Sequence, residues 1–359
     1  MIYFDVSRTQ RSSHNSGLTR VTRRLLKEFG KAVRPVSLLQ RETCISASAE
    51  KLKLEKDDWW FTGELFCEEE FPGLWSFIQV RSCRLAAIYY DAIPLKFPHI
   101  TWPQSVARHP EYMKMLAGFD RVFAISEASR QELLEFWRWQ GVEVRATVET
   151  IVLGSDFSAQ PRSVKVSTDG RAGLLSVGIL EPRKNQSFLI DVCENLWREG
   201  LKFDLHLVGR VNPHFGKPVL EKIKALKKRY AGLHYYEAAS DETMAMLYRT
   251  VRANVSPTLS EGCGLPLLES LWQGVPCVCS DLPVLRENAD AGGCLPVAPN
   301  RLDDWSEALN RVLTDESFYA DLVRQATTRP LPTWSDTAKT LLGHFGVTPV
   351  VERDVLDRF

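Results

Sequence analysis

Residues 256–269 have the sequence Ser256-Pro-Thr-Leu-Ser-Glu-Gly-Cys-Gly-Leu-Pro-Leu-Leu-Glu269. Within it, two glutamates, Glu261 and Glu269, flank a loop with two glycines and a proline at position 266. Glycine lets the backbone approach a ligand closely, and proline suits the start of a helix. The segment therefore predicts a strand that ends at Ser256, then a loop, then a helix.

The start of this helix is a candidate ligand site. The free amides of Gly264 and Leu265 would point along the helix dipole and form an anion site. Glu261 would lie in the preceding loop and Glu269 one turn into the helix, where carboxylates can accept hydrogen bonds from sugar hydroxyls. The alternative is that both glutamates only satisfy the helix N-terminus.

The segment lies within a repeated pattern of short apolar strands and amphipathic helices. Strands are predicted at residues 2–6, 85–90, 121–125 and 148–153, and again at 173–179, 203–208, 233–236, 253–256 and 275–280. Their continuous apolar character is typical of parallel sheets buried on both faces. The chain is therefore predicted to be α/β, with two doubly wound parallel-sheet domains and ligands bound at the strand ends between them. We expect domains at 1–163 and 173–333, joined by a polar linker at 164–172.

A second candidate site is Gly178-Ile-Leu-Glu-Pro-Arg-Lys-Asn185, which precedes a helix that Asn185 is expected to cap. The helix dipole disfavours Arg183 and Lys184 here by about 0.3–1 kcal/mol, and Glu181 is the only nearby carboxylate in the sequence. A bound anion would complete the arrangement, since arginine grips phosphate with two hydrogen bonds and lysine adds charge. The alternative is a pair of solvated loop cations.

Two further residues point to the same cleft. Gly17 opens a helix as a phosphate-binding turn would, but a full Gly-x-Gly-x-x-Gly motif is missing, which argues against a nicotinamide dehydrogenase. Asp91 follows a predicted strand, where a carboxylate can position an acceptor hydroxyl or act as a base. A turn or N-cap carboxylate is the alternative for Asp91.

Composition excludes several classes of protein. The 45 Lys and Arg balance 45 Asp and Glu, which argues against a nucleic-acid binder. No uncharged apolar run approaches about 18 residues, and the first residues lack a secretion signal, so we expect a cytoplasmic protein. No Asp-x-Asp is present to hold a divalent ion on a diphosphate, so no metal is expected. The eight cysteines are scattered and are expected to be reduced: Cys44, Cys67, Cys83, Cys193, Cys263, Cys277, Cys279 and Cys294.

Taken together, five segments resemble glycosyltransferase family 4 in the expected order over nearly the whole chain. They are 260–269, 178–185, 91–95, 124–127 and His206-Leu-Val-Gly-Arg210. The resemblance implies the GT-B fold, in which two Rossmann-like domains face an interdomain cleft, and retention of anomeric configuration. It also implies an acceptor-binding first domain, a nucleotide-sugar-binding second domain and a last segment, 334–359, that crosses back to the first domain.

The resemblance further implies roles for the matched residues. Arg183 and Lys184 would hold the donor diphosphate, Gly17 would approach it from the other domain, and Glu269 would bind the ribose. The sugar would contact Glu261 and the loop after it, which adds Gly262, Cys263, Gly264 and Leu265 to the donor-binding residues. Arg183, Lys184, Glu261 and Asp91 are the candidate catalytic residues. Cys263 stands where many members have an aromatic residue, so packing around the sugar is expected to differ. Tyr90 stands where many members have a histidine that contacts the donor sugar, which makes Asp91 the stronger candidate on this strand end.

The predicted function is transfer of a hexose from a nucleotide diphosphate sugar to an acceptor hydroxyl, in polysaccharide or glycolipid assembly and without a metal. The sequence Glu-Pro-Arg-Lys-Asn resembles mannosyltransferases, so GDP-mannose is the first donor to consider, and a glycan or lipid-linked glycan is the expected acceptor. Two alternatives stay open: a sugar-nucleotide epimerase of related fold, and a nucleotide-sugar-binding module without catalysis. No nucleic-acid partner is expected.

The first 34 residues carry eight basic and two acidic side chains. Such a face predicts peripheral contact with anionic lipid at the inner face of the membrane. A solvated helix face is the alternative.

Overall fold

Two β-sheets, one from each half of the chain, organise the protein. The computed structural model describes residues 1–12, 17–38, 45–47, 50–156, 161–163 and 173–347. The predicted linker 164–172, part of the loop before Gly17 and the end of the predicted last segment lie outside the described residues. The domain boundaries given above stay a prediction.

The first sheet has eight strands in the order β4-β3-β2-β1-β5-β6-β7-β8. Its pairs are parallel except for β2 with β3 and β3 with β4. The strands are β1 (Ile2–Asp5), β2 (Arg34–Leu38), β3 (Ile45–Ala47), β4 (Glu50–Leu52), β5 (Trp59–Thr62), β6 (Arg84–Tyr89), β7 (Arg121–Ala124) and β8 (Thr147–Thr150). The helices of this half are α1 (Gly17–Phe29), α2 (Leu74–Val80), α3 (Ile93–Lys96), α4 (Pro103–Leu116) and α5 (Glu127–Gln140).

The second sheet has six strands, all parallel, in the order β11-β10-β9-β12-β13-β14. They are β9 (Gly173–Val177), β10 (Asp204–Val208), β11 (Leu233–Tyr236), β12 (Val251–Ser256), β13 (Cys277–Ser280) and β14 (Cys294–Val297). The helices are α6 (Gln186–Arg198), α7 (Lys217–Lys227), α8 (Asp241–Thr250), α9 (Leu265–Trp272), α10 (Pro283–Ala289), α11 (Leu302–Thr314) and α12 (Glu316–Thr328).

Burial on both faces explains why the central strands are apolar throughout. All four residues of β5 are buried, with Trp60 and Phe61 facing opposite helix layers. The same holds for β6, where Ala87 and Ile88 are fully buried in the two layers. Because helices cover both faces, the apolar positions of these strands are shielded from water, and only Arg84 at the start of β6 is exposed.

The last helix, α13 (Trp334–His344), packs against α1 of the first domain. The amide of Trp334 donates to Asp156 Oδ1 at 2.6 Å, and the ring of Phe345 lies 5.0 Å from that of Trp59. A side chain at Gly154 would place its Cβ 2.3 Å from the Trp334 nitrogen, so only glycine allows this approach. The end of the described chain therefore joins the second domain to the first by side-chain packing.

No helix in the described part of the chain is both long enough and apolar enough to cross a membrane. Each cysteine in this part is a free thiol.

Candidate active site

The predicted strand, loop and helix at residues 256–269 are present. β12 ends at Ser256 and α9 begins at Leu265, one residue before the predicted start. Gly264 precedes the helix with φ 82°, and a Cβ there would lie 2.6 Å from a methyl group of Leu285. Glycine is thus needed at this position, both for its backbone angle and for space. The first amides of α9 consequently open at the carboxyl edge of the second sheet.

Arg183, Lys184 and Glu261 form one ion-pair cluster beside this helix. The Lys184 ammonium lies 2.5 Å from Glu261 Oε1, and Arg183 Nη1 lies 3.2 Å from Glu261 Oε2. Arg183 also pairs with Glu181 at 2.8 Å. The side chains of Arg183, Lys184 and Glu261 are only 12–19% exposed. Glu181 is the nearest carboxylate along the sequence, and Glu261, from a distant part of the sequence, also pairs with both cations.

Backbone contacts hold the cluster in place. Arg183 Nη1 donates to the Ser260 carbonyl at 2.8 Å. In the other direction, the Arg183 carbonyl accepts from the Leu259 amide at 2.8 Å and from the Thr258 hydroxyl at 3.1 Å. These hydrogen bonds therefore hold the loop that carries the cations against the loop that carries Glu261.

The charge state of Glu261 follows from these contacts. Burial disfavours its carboxylate, but Lys184 and Arg183 outweigh burial and hold the pKa of Glu261 below its usual value. Glu261 is thus ionised at neutral pH, and an incoming anion would compete with it for the two cations.

Asn185 occupies the N-cap position of α6, as predicted, but its side chain does not cap the helix. It has φ 56°, and its side chain makes no capping hydrogen bond. Instead, its amide nitrogen donates to the Pro257 carbonyl at 3.1 Å and to Asn300 Oδ1 at 2.9 Å. The left-handed backbone turns the chain between Lys184 and α6, and asparagine tolerates this conformation better than most residues. The predicted position is therefore confirmed, and the capping hydrogen bond is absent because the side chain binds Pro257 and Asn300 instead.

Glu269 lies apart from the cluster and has a different partner. It is buried on α9 and pairs with Arg20 of α1, so the ion pair crosses from the second domain to the first. The sequence interpretation did not assign Arg20 a role, although it lies only one turn after Gly17. Gly17 itself is exposed, and a Cβ there would have no atom within 4 Å.

Asp91 stands at the carboxyl end of the first sheet, opposite the loop of the second domain. Its Oδ1 accepts from the Ile93 amide at 3.0 Å, which is the turn role considered as an alternative. Its Oδ2 would lie 3.1 Å from a Cβ added at Gly262, and the Tyr90 carbonyl would lie 2.9 Å from that atom. The loop that carries Glu261 therefore approaches Asp91 closely across the cleft, and only glycine fits at position 262 without movement.

The two residues that depart from the family pattern are both used for packing. Cys263 is buried, and burial raises the pKa of its thiol to about 12, so the thiol stays protonated. Its carbonyl accepts from the side chain of Asn288 at 2.7 Å. Tyr90 is also buried, and its hydroxyl donates to the Gly63 carbonyl at 2.8 Å inside the first domain.

Two hollows lie near these residues. A cavity of about 10 Å³, the size of one water molecule, is lined in part by Lys184, Glu261 and Gly264. A larger hollow of about 520 Å³ lies in the first domain, lined by Arg8, Arg11, Ser12, Leu18, Thr19, Glu64, Leu65 and Glu70. Glu64 is buried at its wall and accepts from the Thr9 amide at 3.0 Å.

Comparison with solved structures identifies the class of fold. Sucrose-phosphate synthase from Thermosynechococcus elongatus superposes with a TM-score of 0.71 and 16% identity, over 96% of this chain and 98% of that one. Anabaena Alr3699/HepE, solved with UDP and glucose, superposes with a TM-score of 0.69 and 11% sequence identity, over 96% of this chain and 99% of that one. The fold is GT-B, and the prediction of two Rossmann-like domains facing a cleft is confirmed.

Sequence comparison then finds a family model that matches part of the chain. Residues 160–329 match the family model "Glycosyl transferases group 1". The chain is 29% identical over 239 residues to the serotype-specific mannosyltransferase WbdA of Escherichia coli. The aligned region covers 61% of this chain and 29% of WbdA. It is 28% identical over 204 residues to the O-antigen chain mannosyltransferase B of the same species, covering 55% and 52%.

The predicted resemblance to GT-B glycosyltransferases, with mannosyltransferases among the relatives, is thus confirmed. The chain spans less than a third of the length of WbdA and about half the length of mannosyltransferase B.

Proposed function

We propose that this chain is a retaining glycosyltransferase that moves a hexose from a nucleotide diphosphate sugar to an acceptor hydroxyl in polysaccharide or glycolipid assembly. The observation that carries the proposal is the mostly buried cluster of Arg183 and Lys184, which lies beside the N-terminus of α9, is held by Glu261 and faces Asp91 of the other domain. Two cations and a helix end converge there, as binding of a diphosphate requires.

The leaving group gives these charges their function. When the bond between the sugar and the diphosphate breaks, negative charge collects on the departing diphosphate. Arg183, Lys184 and the first amides of α9 stabilise this charge, because they already bind the diphosphate when the bond breaks, and one such donor is commonly worth about 3 kcal/mol. Because these groups supply the positive charge, we expect turnover to continue in the presence of a chelator.

The remaining residues place the two substrates. Once the diphosphate takes over the cations, the carboxylate of Glu261 is free to accept hydrogen bonds from sugar hydroxyls. Glu269 binds the ribose from its position further along α9. Asp91 positions the acceptor hydroxyl or takes its proton, since its carboxylate faces the loop of Glu261. Gly17, at the start of α1, lets the first domain close on the donor.

Donor and acceptor are inferred from different observations. The mannosyltransferase relatives support GDP-mannose as the first donor to test. The hollow of about 520 Å³ in the first domain supports a glycan or lipid-linked glycan acceptor, because Arg8, Arg11, Glu64 and Glu70 offer hydrogen-bond partners to sugar hydroxyls.

A donor screen followed by product analysis tests the proposal. The protein is first tested for thermal stabilisation by GDP, UDP and ADP, and then incubated with the matching sugar donors, with and without glycan acceptors. Arg183→Ala should lower turnover at saturating donor by about 100- to 1000-fold. The matched control is Arg198→Ala, which removes an exposed arginine paired within α6 and should leave turnover unchanged.

Each competing function has its own outcome. Conversion of the sugar donor without any acceptor would indicate an epimerase instead of a transferase. Binding without diphosphate release from any donor would indicate a module without catalysis. Near wild-type turnover by Arg183→Ala would contradict the role of the cluster.

A further inference from the structure

Two histidines and an aspartate face one another on the second sheet. His206 of β10 and His234 of β11 are direct partners in the parallel pairing of these strands. Asp204 lies two residues before His206 and therefore on the same face of the strand. One ligand atom from each of the three side chains lies within 4.8 Å of the others. The pairing of strands thus gathers two imidazoles and a carboxylate at one point.

The geometry of the three side chains is set by the backbone. The two imidazole rings stack with centroids 4.7 Å apart and an angle of 15° between their planes. His234 Nε2 lies 3.2 Å from Asp204 Oδ1, and His206 Nδ1 lies 3.3 Å from the Tyr236 hydroxyl. Because the strands are fixed by hydrogen bonds along their length, these groups are already close without a rearrangement of the chain.

This cluster is separate from the candidate active site. Asp204 and His206 lie at the start and centre of β10, whereas Ser256 ends β12 at the active-site edge. In a parallel sheet the starts and ends of the strands lie at opposite edges. None of the residues assigned to donor or acceptor above belongs to the cluster.

We propose that Asp204, His206 and His234 bind a divalent transition-metal ion of the zinc class. Two imidazole nitrogens and one carboxylate oxygen are ligands that suit Zn²⁺ and its neighbours better than Mg²⁺ or Ca²⁺. The side chains of Asp204 and His234 are 52% and 36% exposed, so water can complete the coordination from the open side. The ion takes the place of the hydrogen bond between these two residues.

The environment of His206 favours the neutral form that binds metal. Burial is the main cause, and the neighbouring His234 adds to it, so that the pKa of His206 lies below its usual value. The geometry of the three side chains stands independently of this shift.

A metal ion here would fasten an edge strand. β11 is the outermost strand of the second sheet. Among the described strands it pairs only with β10, and the ion would add a second kind of link between the same two strands. We therefore expect binding to stabilise the fold and to leave the transfer reaction unchanged.

The test uses the full chain after treatment with a chelator and its removal. Zn²⁺ is titrated by calorimetry, and Co²⁺ is added as a spectroscopic probe whose visible absorption reports its ligands. We expect one ion per chain. His234→Gln and His206→Gln should each weaken binding by at least about 100-fold, because removing a direct ligand should cost no less than removing a residue that only supports a ligand, which costs up to about 100-fold. His99→Gln is the matched control, since His99 is exposed and outside the cluster.

Stability supplies an independent readout. Zn²⁺ should raise the Tm of the wild-type chain and of His99→Gln, but not that of His234→Gln. Should His206→Gln fail to fold, Asp204→Asn replaces an exposed ligand with a group of the same shape and serves in its place. Unchanged Zn²⁺ affinity in these variants, or no saturable binding below millimolar Zn²⁺, would overturn the proposal.

Discussion

Replacing Glu261 with glutamine tests whether Glu261 pairs with Arg183 and Lys184 in solution. The substitution keeps the shape of the side chain and removes its charge, which leaves Lys184 and Arg183 beside a neutral amide. The three side chains are 12–19% exposed, so this is the loss of one partner from a mostly buried pair. Such a loss costs about 3–5 kcal/mol, and the lower value applies because the amide oxygen can still accept a hydrogen bond.

A cost of about 3 kcal/mol is large enough to measure by thermal unfolding. If the second domain unfolds as one unit, the Tm should fall by roughly 6–12 °C. The matched control is Glu221→Gln, which breaks an exposed pair with Lys224 on α7 and should cost less than about 1 kcal/mol. An equal Tm for Glu261→Gln and Glu221→Gln would refute the pairing of Glu261 with Arg183 and Lys184.

The effect of this substitution should depend on pH with a definite sign. The pKa of Glu261 in the folded chain lies below its ordinary value of 4.5. The carboxylate therefore stabilises the fold fully above the unfolded pKa, and the stabilisation is lost as pH falls through the folded pKa. The Tm difference between wild type and Glu261→Gln should be complete at pH 7 and shrink below about pH 4.5.

Binding of the nucleotide gives a second readout with the opposite sign. Glu261 competes with a diphosphate for Lys184 and Arg183, so Glu261→Gln should bind GDP at least as tightly as wild type. Turnover of the sugar donor should nevertheless fall, because the carboxylate that contacts the sugar is missing. Weaker binding of GDP by the variant would contradict this competition.

Three further predictions concern the contacts between the domains and the basic face of α1. Gly262→Ala should lower the free energy of unfolding by about 1–3 kcal/mol, because its Cβ would lie 2.9 Å from a backbone carbonyl of the first domain. Gly343→Ala is the control: its Cβ would meet no atom within 4 Å, so the substitution should be neutral or stabilising. Denaturant unfolding curves of the two variants measure the difference. Glu269→Gln should weaken GDP binding by about 10- to 100-fold in calorimetry, the loss expected for a hydrogen bond to a charged group, and unchanged affinity would remove Glu269 from the ribose site. Vesicles with anionic lipid should retain the chain weakly and less so after Lys27→Glu, and retention that ignores anionic lipid would reject membrane contact.

The expectation of weak membrane retention comes from the pairing of the basic residues. Arg8 pairs with Glu70, Arg24 pairs with Asp156, and Arg20 is engaged with the buried carboxylate of α9. Much of the positive charge in the first 34 residues therefore serves contacts within the protein. The exposed residues, such as Lys27, leave a smaller charge for lipid than the sequence alone indicates.

Much of the fold could be predicted from the sequence where turn residues mark both ends of a strand. β11 has the predicted bounds, because it lies between clear turn residues. β5 was not predicted, although it is central in the first sheet. The strand is only four residues long and comes directly after the charged residues 55–58, so its apolar pattern is too short to stand out in the sequence. β2 was also missed, because Pro35 interrupts its apolar pattern, and it takes part in the sheet through its other residues.

The candidate site could be predicted only in part, for a different reason. The residue types around α9 suggested an anion site, and their position at the strand ends follows from the topology. The pairing of Lys184 with Glu261 joins residues 77 positions apart, and that of Arg20 with Glu269 joins residues 249 apart. Neither follows from local patterns, because such pairings depend on how the sheets order their strands and how the two domains meet.

The most direct test of the central claim is titration of the chain with GDP and with UDP in the presence of EDTA, for the wild type and for Arg183→Ala. The claim is that two cations and the start of α9 hold a nucleotide diphosphate without help from a metal. It predicts one saturable site for at least one of the two nucleotides and an affinity at least about 100-fold weaker in Arg183→Ala, since a buried charged hydrogen-bond partner is lost. Equal affinity of wild type and Arg183→Ala for both nucleotides, or binding that disappears in EDTA, would contradict it.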